Sequence, residues 1–229
     1  MKILLFVVCL LIMTAFIYFE KKEKFVIAVI LKGLASFAFV MLGFWCSRVV
    51  TGSEGFVKFV RIGLILGLVA DILLNLRFVF KEKGKLVFLL GILVFLAGHV
   101  LYLCALIPTV GNVIIPLIIG IIVTFVVIKW IFTMIEAQKA FKIFGIFYIG
   151  TIVIMNCFAI ANLVQGPTNT RYIIFAIGAL LFFISDVVLI LNTFGKQTRF
   201  ILRITNLSLY YLGQLLIALS LLFPIIVIA

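Results

Sequence analysis

The sequence predicts an all-α polytopic membrane protein: eight transmembrane helices in a single domain, residues 1–229, arranged as a 4+4 parallel internal repeat. Three observations predict it. Of 229 residues, 67% are hydrophobic and 11% are charged, and the mean hydropathy of +1.47 lies far outside the range of soluble domains. The apolar residues fall into eight runs, each long enough to cross about 30 Å of hydrocarbon. One acidic motif occurs twice, as "LVADILLNL" around Asp71 and "LFFISDVVLIL" around Asp186.

The expected helices are 3–19, 25–45, 56–78, 86–107, 112–132, 141–163, 172–194 and 200–226. Helix 1 follows Lys2 as a signal peptide would, but no small-residue cleavage site precedes "YFEKKEK", so it is read as a retained span. Helix 2 starts after that basic turn and holds Lys32 and Ser36. Helix 3 carries Asp71 with Asn75 one turn later. Helix 4 is "GILVFLAGHVLYL", placing Tyr102 three residues after His99 on one face. Helix 5 is the run from 112 to 132, and helix 6 holds Asn156. Helix 7 carries Asp186, and helix 8 places Tyr210 and Tyr211 four and three residues before Gln214.

Lys and Arg number 19 and the formal net charge is +12. Thirteen of the 19 lie in or beside the loops after helices 1, 3, 5 and 7, "EKKEK", "KEKGK", "KAFK" and "GKQTR". This bias predicts that those loops are cytoplasmic and that both termini are extracytoplasmic. The expected location is a bacterial inner (cytoplasmic) membrane. Short basic clusters between apolar runs meet anionic lipid head groups, so the bilayer is a partner and nucleic acid is not.

Aligning Asp71 with Asp186 sets an offset of 115 residues, at which helices 1 to 4 fall on helices 5 to 8. Leu66, Leu74 and Leu76 then meet Leu181, Leu189 and Leu191, and Gly98-His99 meets Gly213-Gln214. The halves are approximately 1–112 and 113–229. An even helix number per half gives both the same orientation, related by an axis along the membrane normal.

Of seven acidic residues, Glu20, Glu23, Glu54, Glu82 and Glu136 sit at or near loops, leaving Asp71 and Asp186 at membrane depth. A charge there costs about 2.5–3.5 kcal/mol on the lenient insertion scale, so such a residue faces a cavity or a partner. Both lie about 10–12 Å from the cytoplasmic ends of their helices, a depth at which they can share one polar chamber. Lys32, Ser36, Asn75, His99, Tyr102, Asn156, Tyr210, Tyr211 and Gln214 are candidates to line it, although intramembrane Asn, Ser, Tyr and Gln commonly serve as interhelical glue. One histidine and four scattered cysteines (Cys9, Cys46, Cys104, Cys157) offer no zinc spacing. Neither a nucleophile elbow nor a phosphate-binding glycine loop occurs. No metal or other cofactor is expected.

"DILLNL" on helix 3, "GILVFLAGHVLYL" on helix 4, "GALLFFISDVVLILNTF" on helix 7 and "YYLGQLLIA" on helix 8 together resemble the YhhN-like lysoplasmalogenase family of eight-helix membrane proteins. Ala70 and Lys32-Gly33 depart from the Gly and Lys-Pro common in that family. The resemblance implies hydrolysis of the vinyl-ether bond of a lysophospholipid, releasing a fatty aldehyde and a glycerophospho-ethanolamine or -choline.

Vinyl ethers hydrolyse by protonation of the β-carbon and capture of the resulting oxocarbenium ion by water. That needs one proton donor and one group that stabilises positive charge or activates water, a division that two aspartates in a low-dielectric cavity can supply. Asp71 and Asp186 are therefore the expected catalytic pair, with the acid and base roles open between them. His99, Gln214, Tyr102, Tyr210 and Tyr211 are expected to orient water or substrate, and Lys32 to meet the phosphate. The main alternative is a proton-coupled small-molecule or lipid transporter, since parallel repeats with deep carboxylates also occur there. The sequence sets no oligomeric state.

Overall fold

A computed structural model describes residues 1–49, 53–80, 82–165 and 169–224. Lys81 of the basic loop after helix 3, and any turn of helix 8 beyond 224, lie outside the described residues. The described chain forms α1 (Lys2–Lys21), α2 (Phe25–Cys46), α3 (Glu54–Leu76), α4 (Gly84–Leu106), α5 (Ile114–Met134), α6 (Lys139–Gln165), α7 (Thr170–Phe194) and α8 (Phe200–Ser220). Every expected run is a helix, with boundaries within two residues except at the end of α8. There the expected helix to 226 stops at Ser220, because Pro224 has no N–H to donate and its ring collides with the carbonyl four residues earlier.

Seven of the eight helices are long and apolar enough to cross a membrane. The remaining one, α3, has 23 residues and packs between α2 and α4. Side chains are distributed inside out relative to a soluble bundle. Ile3, Leu11, Ile115, Ile118, Phe125 and Val164 point outward, whereas Lys32, Asp71, Asn75, His99, Asp186 and Gln214 are buried. Hydrocarbon can solvate the first set, and only the bundle interior can hydrogen-bond the second. The chain is thus a multi-pass membrane protein. Helix α5 is the extreme case, burying only Pro116, Gly120 and Ile131.

Glycine sets the two most extensive helix contacts, α3 on α4 and α7 on α8. A Cβ added to Gly98 would lie 3.3 Å from the Gly63 carbonyl oxygen, and one added to Gly213 would lie 2.8 Å from that of Gly178. These pairs are related by the 115-residue offset, and so are the contacts of α2 with α8 and of α6 with α4. Backbones this close gain van der Waals contact that lipid cannot match. Gly213→Ala should therefore lower the unfolding midpoint in detergent. The new methyl meets rigid backbone at Gly178 and Phe182, costing about 1–3 kcal/mol of overpacking against about 1 kcal/mol of helix propensity gained. An unchanged or raised midpoint would show that the crossing has room to spare.

At one end of the bundle, the α5–α6 and α7–α8 links are joined by an antiparallel bridge between Ile135 and Gly195. The Glu136 N–H donates to the Phe194 carbonyl at 2.8 Å. Helix α7 starts from an Asn169 cap whose side chain accepts from the Arg171 N–H at 2.9 Å.

Candidate functional site

Helices α3 and α7 place Asp71 five residues before Leu76 and Asp186 eight residues before Phe194, about 8 and 12 Å along their axes. Both are buried, at 1% and 3% exposure, and both line one polar chamber together with Lys32, Asn75, Tyr148 and Tyr210.

Asp71 is the most heavily bonded group. The Lys32 ammonium lies 3.0 Å from Oδ1, and the Ser36 and Tyr210 hydroxyls each donate to Oδ2 at 2.5 Å. Lys32 also donates to Asn75 Oδ1 at 3.5 Å, and Asn75 Nδ2 donates to Glu20 Oε2 at 3.2 Å. Glu20 is gripped by the Arg203 guanidinium, through Nε at 2.8 Å and Nη2 at 3.0 Å. This network runs from the depth of Asp71 to the C-terminal end of α1 and the first turn of α8. It matches two carboxylates with two cations, which is how charge is tolerated at such depth.

Asp186 has a different environment. The Tyr148 hydroxyl donates to its Oδ2 at 2.5 Å, and among the described residues no cation pairs with it. Its neighbour Ser185 turns away and donates to the Asn206 carbonyl at 3.0 Å, while Asn206 Nδ2 returns a bond to the Ser185 carbonyl at 2.9 Å. These bonds pin α7 to α8.

The 115-residue offset brings out the asymmetry. At the 115-residue offset, Lys32, Ser36, Asn75 and Glu20 correspond to Phe147, Thr151, Ile190 and Ile135. Where the residues around Asp71 form a charged network, an apolar pocket lies among α4, α5, α6 and α7. Leu74, Phe88, Phe95, Tyr148 and Leu189 are walls of both cavities. The polar chamber and the apolar pocket therefore abut along these five residues, one of which, Tyr148, is hydrogen-bonded to Asp186.

His99, Tyr102, Gln214 and Tyr211 form a layer behind the chamber rather than its wall. His99 Nδ1 donates to the Phe95 carbonyl at 2.8 Å, and Nε2 has no partner among the described residues. The imidazole packs on Phe182, with centroids 4.4 Å apart, and meets Tyr148 edge-on at 5.8 Å. The Tyr102 hydroxyl donates to Gln214 Oε1 at 3.0 Å. That of Tyr211 donates to the Lys32 carbonyl at 3.3 Å and lies 3.3 Å from the Ser36 hydroxyl. Asn156, expected among the lining residues, instead bonds the Ile152 carbonyl of its own helix at 2.9 Å and is not part of the chamber wall. Lys32, expected to meet a phosphate, has its ammonium directed at Asp71.

Sequence reasoning did not single out Tyr148, Glu20, Arg77, Arg203 or Asn206. A tyrosine in an apolar helix gives no signal distinguishing it from packing, and the charged residues read as loop-end topology signals. Among the described residues, no three His, Cys, Asp or Glu side chains converge as metal ligands.

An eight-helix membrane bundle enclosing a carboxylate-lined chamber is the class that this fold and site define. The chain belongs to the YhhN family, whose family model matches residues 27–221. That span includes both aspartates and every chamber network residue except Glu20. No curated protein and no solved structure matches the chain.

Proposed function

We propose that the protein is a lysoplasmalogenase-like hydrolase that cleaves the vinyl-ether bond of a lysophospholipid to a fatty aldehyde and a glycerophospho-alcohol. The observation that carries the reading is the pair of aspartates in unlike charge environments where a polar chamber abuts an apolar pocket. An amphiphile fits such a cavity with its chain in the pocket, its head in the chamber and the bond between them beside Asp186. The pocket's position among α4 to α7 suits lateral entry from the bilayer. The basic loops after α1, α3, α5 and α7 would then hold the head-group side at the cytoplasmic face.

Asp186, with no cation beside it, acts as the acid and passes a proton to the β-carbon of the vinyl ether, which generates an oxocarbenium ion at the α-carbon. Asp71, charge-compensated by Lys32, stabilises that cation and accepts a proton from the water that attacks the α-carbon. The hemiacetal then collapses to aldehyde and glycerophospho-alcohol, and the proton returns to Asp186. Donating hydroxyls from Ser36 and Tyr210 hold the Asp71 carboxylate in place, and Tyr148 holds Asp186. A water-excluding layer of Phe95, His99 and Phe182 keeps the electrostatics strong.

The testing experiment is aldehyde release from a 1-alkenyl lysophospholipid by purified protein in detergent, beside the saturated 1-alkyl ether. Release from the first only is expected, because the saturated ether has no carbon that protonation can activate. Transport of either lipid across sealed vesicles without aldehyde would replace the hydrolase reading with a carrier.

A further inference from the structure

We infer that Arg77 and Arg203 form a phosphate subsite at the cytoplasmic end of the polar chamber. It takes the phosphodiester of a lysolipid head group. The inference rests on the lysolipid reading above and adds to it where the head is held. Both residues line the chamber, Arg77 as the C-cap of α3 and Arg203 from the first turn of α8.

Arg203 is fixed by Glu20 through Nε and Nη2, which leaves Nη1 without a protein partner among the described residues. Arg77 is held differently. Its guanidinium lies over the Phe88 and Phe78 rings, 4.4 and 4.6 Å from their centroids. It makes no ion pair and no side-chain hydrogen bond among the described residues, and it is only partly exposed.

Of the two guanidinium groups facing this cavity only that of Arg203 is paired with a carboxylate, Glu20, so Arg77 and Nη1 of Arg203 keep unused forked donors. That arrangement is complementary to a phosphate and poorly matched to a neutral or cationic ligand. Lys32 cannot serve instead, because Asp71 holds its ammonium at 3.0 Å.

Spacing and asymmetry support the same placement. Arg77 follows Asp71 by six residues, about 9 Å along the helix, which leaves room for a glycerol backbone between the carboxylates and the phosphate. At the 115-residue offset, Arg77 and Arg203 correspond to Asn192 and Phe88. Asn192 is spent on the Arg199 N–H at 2.7 Å, and Phe88 lines the apolar pocket. Only one half of the molecule can bind the anion, so the lipid has one orientation in the cavity.

The experiment is calorimetric titration of the full chain in detergent with a 1-alkyl-glycerophosphocholine, the matching 1-alkylglycerol lacking phosphate, and inorganic phosphate. The alkyl ether resists cleavage, so the result stands whether or not vinyl-ether hydrolysis is observed. The parent should prefer the phosphocholine compound, and Arg77→Gln should weaken it roughly 10- to 100-fold, as expected for a lost charge-assisted contact, with the alkylglycerol unchanged. Arg77→Lys, which keeps the charge and the apolar stem, should fall between the two and carries the test if Arg77→Gln does not fold. Equal weakening of both ethers, or no preference in the parent, would overturn the subsite. Inorganic phosphate binding as tightly as the lysolipid would overturn the head-group assignment in favour of free phosphate.

Discussion

Asp186→Asn is expected to fold as the parent does and to lose aldehyde release by about 10² to 10⁴-fold, the range for removal of a general acid. The amide matches the carboxyl in shape and can still accept the Tyr148 hydroxyl, so the α6–α7 contact survives. What it lacks is an acidic proton for carbon. Protonating the β-carbon is the demanding step in vinyl-ether hydrolysis, and among the described residues Asp186 is the chamber carboxyl with no cation paired to it. The measurement is single-turnover aldehyde formation at saturating lysolipid, with the unfolding midpoint as a folding control. A rate within a few-fold of the parent would remove Asp186 from the acid role.

Lys32→Met should have the largest effect on stability. Its ammonium and the Asp71 carboxylate are both buried, with side chains 4% and 2% exposed. Deleting one partner strands the other charge, at a cost of about 3–5 kcal/mol in buried pairs. The lysine's packing over Phe16, 5.7 Å from the ring centroid, is largely kept by the methionine. The double variant Lys32→Met/Asp71→Asn should therefore recover most of the lost unfolding midpoint, since neither residue is then charged, while aldehyde release stays absent. Losses that simply add in the double variant would mean that the pair is not coupled, and would leave Asp71 without its charge compensation. Recovery of turnover along with stability would remove Asp71 from the chemistry.

How much of this was legible in the sequence follows from which forces act locally. A membrane span is a property of about 20 consecutive residues, so apolar run length predicted α1 to α8 with little loss. The two aspartates stood out because hydrocarbon penalises a lone carboxyl wherever it lies in three dimensions. Their convergence with Lys32, Asn75 and Tyr210 was likewise expected from depth and helix face. Glu20 and Arg203 were not placed at the site, because each sits at a helix end, where charge is ordinary, and they meet only across 183 residues. Tyr148 was missed for the opposite reason, since a tyrosine among phenylalanines and isoleucines raises no local penalty. Asn156 shows the converse error, because a polar side chain at depth can satisfy itself on its own helix, here on Ile152.

By itself the sequence determined the solvent, the eight helices, the family resemblance and the two deep carboxyls, because each follows from local hydrophobicity or from a short motif. Only the tertiary structure decided that Asp71 is charge-paired while Asp186 is not, and that a polar chamber abuts an apolar pocket. Those outcomes depend on which side chains the packing of α2 and α8 on α3, and of α6 on α7, brings within about 3 Å, the reach of a hydrogen bond. Asp71 and Asp186 differ in what surrounds them, and the difference arises from contacts between helices far apart in the chain.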